Sequence, residues 1–233
     1  MPQGLNEKLM KSANYRISIH SQIKLILLTV VTTLVPFSFV SLIFTLKPNL
    51  SPSILTKDTA VIGDIPFYAG LFSNIGVLLW CTSVVICLFS YIILKQDAKA
   101  NKVASFLLLS GLLTFLLLLD DFFLLHESFF PIYFGIKSHV TFTIYIALAL
   151  SLFIRYIKII KKTEFFILLS SIAFFSLSII SDVLTDNNIL NIYLVLEDMF
   201  KLLGITCWLT YFARICLQEI SNMISGSLDK DKL

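Results

Sequence analysis

Residues 67–94 run for 28 positions without a single charged side chain. A helix needs roughly 20 apolar residues to cross a hydrocarbon core about 30 Å thick, so this stretch belongs in a bilayer. The whole chain agrees: of 233 residues 57% are apolar and only 14% charged, and the mean hydropathy is +0.89, far outside the range of soluble domains. Soluble enzymes, nucleic-acid binders and secreted disulfide scaffolds are excluded. With 21 Phe and only 8 Gly, the chain suits lipid-facing helices and not a barrel of short alternating strands joined by turns. Its net charge of +3 calls for no anionic partner.

Six segments are apolar enough to span: Leu25 to Leu46, Phe67 to Leu94, Val103 to Leu125, Phe134 to Ile154, Phe165 to Leu184 and Ile192 to Phe212. The first lacks a following A-x-A site and is expected to remain as an anchor, and Pro36 within it should kink it, which membranes tolerate. If the N-terminus is cytoplasmic, fourteen Lys and Arg flank the inner ends of these segments and three flank the outer ends. That bias alternates at every loop, as the positive-inside rule requires. The expected architecture is therefore an all-α, polytopic membrane protein of six transmembrane helices with both termini cytoplasmic. A single six-helix domain covers 23–217, between polar tails at 1–22 and 218–233. The outer stretch from Lys47 to Pro66, with three prolines, argues against regular structure. Cys81, Cys87, Cys207 and Cys216 lie in apolar surroundings without CxxC spacing, as small core residues do.

The acids carry the functional signal. Asp120, Asp121, Glu127, Asp182, Asp186, Glu197 and Asp198 sit within or just beyond the third, fifth and sixth spans, and the topology places all of them toward the outer side. Asp120, Asp121 and Glu197 lie roughly 6 to 10 Å below the outer helix ends, and Lys201 is near the midplane. Ionisable groups at such depth cost about 2.5 to 3.5 kcal/mol each, so they face the bundle interior, pair with one another and mark functional sites. Spacing offers Lys201 two partners on its own helix, Glu197 one turn earlier and then Asp198. Asp121 shares a helix stripe with Thr114 and Ser110, and Asp182 shares one with Ser178 and Ser171.

Two functional readings follow, and a structural salt-bridge network around Lys201 is the bland third. In the first, Asp120, Asp121, Asp182, Glu197, Asp198 and Lys201 form an outer-side pocket for proton- or cation-linked transport or sensing of a small solute. In the second, His126, His139 and Glu127 hold a divalent metal as cofactor, activate water and attack a lipid. No HxxxH, HExxH or ExxH spacing accompanies those histidines. The expected partners are the bilayer, a small solute or lipid, and a second copy of the chain, since six helices are few for a transporter; nucleic acid is not among them.

The segment Asp120 to Glu127, DDFFLLHE, followed by Glu197 to Phe212, EDMFKLLGITCWLTYF, resembles a family of uncharacterised bacterial membrane proteins with DD-x4-HE and ED-x2-K-LLG segments. That resemblance implies a bacterial inner-membrane location and brings no activity with it. The intramembrane Asp and His are distantly similar to those of the ceramidase and progestin-receptor-like hydrolases, which imply zinc; here Glu197 and Lys201 stand where that superfamily has HxxxH. Glu197 to Lys201 is also similar to the D-x-x-x-K of microbial rhodopsins, which have seven helices. The likeness of LDDFF to LEDMF is local, because inverted halves would carry one acid pair to each side.

Overall fold

The computed structural model describes residues 19–46, 51, 54, 57–66, 68–98, 100–185 and 192–230, and its regular structure within them is helical throughout. The chain divides into two compact units, Met1–Ala69 and Gly70–Leu233. The basic stretch 1–18, the acid Asp186 and residues 231–233 lie outside the described residues.

The first unit holds α1 (Ile19–Leu46), 28 residues that stay helical through Pro36, and α2 (Thr59–Gly63). The short α2 interrupts a stretch expected to be irregular. Asp58 caps it, its carboxylate accepting from the Ala60 N–H at 2.8 Å. A local side-chain acceptor of this kind satisfies a helix-start donor that three surrounding prolines cannot.

The second unit contains α3 (Leu71–Leu94), α4 (Asn101–Phe123), a π-helical turn (Leu125–Phe129), α5 (Phe130–Phe134), α6 (Ser138–Arg155), α7 (Ile157–Ile160), α8 (Phe165–Thr185) and α9 (Ile192–Lys230). Five of these, α3, α4, α6, α8 and α9, are long and apolar enough to cross a membrane. They coincide with the last five expected spans, and the first falls on α1. At 39 residues α9 runs well past Phe212, so a segment expected as a polar tail is helical as far as Lys230.

Packing follows from where the sequence is small. α9 lies against α8 on one side and α3 on the other, and α3 lies against α4. A Cβ on Gly204 of α9 would come within 2.7 Å of the Phe175 ring of α8, and one on Gly111 of α4 within 3.0 Å of Leu88 of α3. Close approach of this kind holds helices together in lipid, where apolar burial between them gains little. Trp80, Phe175, Trp208 and Phe212 form the aromatic centre, with Trp80 stacked on Phe175 at 5.8 Å and Trp208 set against Phe212 at 5.2 Å. α6 joins through Phe153 against Trp208, and Tyr156, just past its end, packs against Phe106. The expected polar stripes face inward: Ser110, Thr114, Ser171 and Ser178 are buried. The Trp208 indole N–H donates to Thr114 Oγ1 at 3.0 Å, and the Ser171 hydroxyl to the Gly204 carbonyl at 2.8 Å. The outward faces carry large apolar side chains such as Leu78, Ile154 and Phe166, all about 70% exposed, which is surface that lipid covers.

Candidate functional site

The consecutive acids Asp120 and Asp121 close the last turn of α4, and both are buried, at 5% and 8% exposure. Neighbours on a helix point about 100° apart, so the two carboxylates meet different partners. Asp120 turns toward the chain that follows it and toward α6. Its Oδ1 accepts from the His126 backbone N–H at 3.0 Å and from the Tyr145 hydroxyl at 2.8 Å, while Oδ2 faces His126 Nδ1 at 2.5 Å. Asp121 turns toward α9, where Lys201 Nζ lies 2.5 Å from Oδ1.

The chain reversal that returns His126 to Asp120 rests on Leu124, whose φ of 51° and ψ of 46° are left-handed. That conformation is costly for a branched residue. It ends α4 and starts a single π-helical turn, a feature that recurs at functional sites. Ser138, at the start of α6, donates to the His126 carbonyl at 2.8 Å and holds the turn from the far side. The other ring nitrogen of His126, Nε2, lies 3.4 Å from Glu127 Oε1. A buried carboxylate, an imidazole and an acid whose side chain is 54% exposed thus form one continuous line.

The electrostatics of this turn are lopsided. Burial works against a charged His126, but its hydrogen bonds to Asp120 and Glu127 outweigh it and hold its pKa up at about 9. Glu127 is correspondingly held below the ordinary carboxylate range, chiefly by its hydrogen bond to His126. Glu127 and Asp198 lie within electrostatic reach of Lys201, and Glu197 within reach of Asp182, Asp198, Lys201 and Glu127. The acids from α4, the π-turn, α8 and α9 therefore form one anionic cluster with Lys201 inside it.

Beside the ion pair is a small recess lined by Phe72, Ser73, Gly76, Asp121, Asp198, Lys201, Leu202 and Ile205, with about 10 Å³ open to the centre of a water-sized sphere. Asp121 Oδ2, the oxygen not taken by Lys201, is buried without a hydrogen-bond partner. It faces Gly76, where an added Cβ would lie 3.8 Å away.

Of the residues singled out from sequence, the structure brings Asp120 to His126 and Glu127, and Asp121 to Lys201. Glu197, Asp198 and Asp182 stand in the surrounding cluster. The ion pair of Lys201 is made across helices, whereas spacing along α9 favoured Glu197 and then Asp198; the near contact of α3, α4 and α9 around Gly76 puts Asp121 closer. The metal set His126, His139 and Glu127 is not assembled. His139 is exposed, both ring nitrogens of His126 face carboxylates, and among the described residues no three His, Cys, Asp or Glu side chains gather as ligands. Sequence reasoning passed over Tyr145, Ser138, Ser73 and Gly76. Only Tyr145, a hydroxyl midway along an apolar helix, carried a signal that could have been noticed.

A family described as a domain of unknown function, DUF8692, matches residues 25–215, which takes in both acid-bearing segments. The chain belongs to that family. No curated protein and no solved structure matches it.

Proposed function

We propose that this DUF8692 member is a six-span protein of the bacterial inner membrane, both termini cytoplasmic, whose outer-side cluster moves protons in the transport or sensing of a small solute. The observation that carries this reading is the line from half-exposed Glu127 through His126 to buried Asp120. Titratable groups in hydrogen-bond reach of one another, leading from a surface to a buried acid, are what a proton needs to travel. The charge bias of the loops supports the orientation, with α1 as the first of the six spans.

The test titrates the full chain in mild detergent, reading His126 by selectively labelled imidazole NMR. The expected result is a midpoint near 9, falling toward the free value of 6.5 in Asp120→Asn. A midpoint near 6.5 that ignores Asp120→Asn would sink the reading. Proteoliposomes loaded with a pH-sensitive dye then separate the branches: proton flux lost in Asp120→Asn means transport, and an intact titration without flux means sensing.

A further inference from the structure

We infer that the recess beside Asp121 is a binding site for one small monovalent cation of the Na+ class. This deepens the proton-linked reading and rests on it for the role of the cluster, but it concerns different atoms. The proton line uses Asp120, His126 and Glu127, whereas the recess is lined by Asp121, Asp198 and Ser73.

Three observations converge. Asp121 Oδ2 is a carboxylate oxygen on a side chain 7% exposed, with no hydrogen-bond partner. A buried polar atom so placed costs free energy unless something outside the protein satisfies it. The oxygen lies 3.8 Å from the place a Gly76 Cβ would take, and Gly76 and Asp121 both line a recess with room for about one water-sized particle. Asp198, an exposed residue, and Ser73, a half-buried one, line the same recess, and their side chains carry a carboxylate and a hydroxyl oxygen, acceptors of the hard kind that alkali cations prefer.

Charge selects the occupant. Asp121 and Asp198 bring two negative charges and Lys201 one positive charge to the recess, and Glu197 and Glu127 lie within electrostatic reach. A single positive charge neutralises the recess itself. A divalent ion would exceed that charge beside an ammonium, and Ca2+ would need about 6 to 8 oxygen ligands. A bare water would satisfy Oδ2 and leave the excess charge standing. Lys201, bound to the opposite oxygen of the same carboxylate, opposes the cation and keeps affinity modest, so occupancy follows the external concentration.

The experiment measures thermal unfolding of the full chain in mild detergent at constant ionic strength, with Na+ replaced stepwise by choline, alongside direct binding of radioactive Na+. The expected result is a saturable, Na+-specific rise in Tm of roughly 5 °C when Na+ is well above its Kd, with about one Na+ bound per chain. Asp198→Asn, which removes a negative charge, and Ser73→Ala, which removes an oxygen, should each weaken binding about tenfold. Both variants leave the Asp121 and Lys201 pair intact, so they keep the proposal falsifiable if Asp121→Asn fails to fold. Equal Tm in Na+ and choline with no bound Na+, or binding unchanged in both variants, overturns the cation site. Neither outcome touches the His126 titration, whose failure would in turn leave Na+ binding as measured.

Discussion

At the scale of single residues, the decisive contact is a pair that sequence spacing does not favour. Lys201 has Glu197 one turn away on its own helix, yet its ion pair is with Asp121 of α4. Removing one partner of a fully buried pair typically costs about 3 to 5 kcal/mol, because the other is left charged and unpaired, and less where, as here, the Lys201 side chain is 32% exposed. Lys201→Met is therefore expected to destabilise, and Asp121→Asn with Lys201→Met to recover part of the loss. A double-mutant cycle in detergent should give more than about 1 kcal/mol of coupling for Asp121 with Lys201 and less for Glu197 with Lys201. Larger coupling for Glu197 would mean the cross-helix pair is not what stabilises the charge. The pH dependence of His126 has a definite sign. Its pKa is raised from 6.5 to about 9, so its contribution to stability is fully present below about 6.5 and is lost as pH climbs through about 9. Thermal unfolding between pH 6 and 10 should show a decline over that window that is absent in His126→Gln. A flat profile in the unsubstituted chain would contradict the assigned contacts.

Single elements carry strain and close packing that can be tested without touching a charge. Leu124 holds a left-handed backbone for which a side chain costs roughly 1 to 2 kcal/mol. The residue is 44% exposed, so Leu124→Gly gives up little packing and should be neutral or mildly stabilising in a melt. Loss of more than about 1 kcal/mol would show that the leucine side chain itself anchors the π-turn. Gly204→Ala should act in the opposite direction. The added methyl would lie 2.7 Å from Phe175, a ring stacked on Trp80 with little room to retreat, and overpacking of this kind costs about 1 to 3 kcal/mol. Elements differ in how far the sequence reveals them. Apolar run length located α3, α4, α6, α8 and α9, because a bilayer imposes that length directly. It could not reveal the π-turn, since nothing about Leu124 advertises a positive φ, nor the end of α9, where hydropathy falls but helicity does not. In the site, burial depth singled out Asp120, Asp121, Glu197 and Lys201, and tertiary packing alone decided which of them touch.

Across the whole molecule, the proposed orientation rests on where Lys and Arg collect, and labelling from the two sides checks it. In a background lacking the native cysteines, residues introduced at Lys8 and Lys57 should react from opposite faces if α1 crosses the bilayer, and those at Lys57 and Lys137 from the same face. Labelling of Lys8 and Lys57 from one side would remove α1 from the set of spans and leave the other five. A mechanical property belongs to this scale as well. The 39 residues of α9 make a rod of about 58 Å, nearly twice the thickness of the hydrocarbon core. Lys201 stands nine residues inside its start, and some 29 residues extend beyond it to Lys230. The helix therefore extends about 14 Å on one side of Lys201 and about 44 Å on the other, so a tilt of about 10° about that residue would carry the far end through roughly 8 Å.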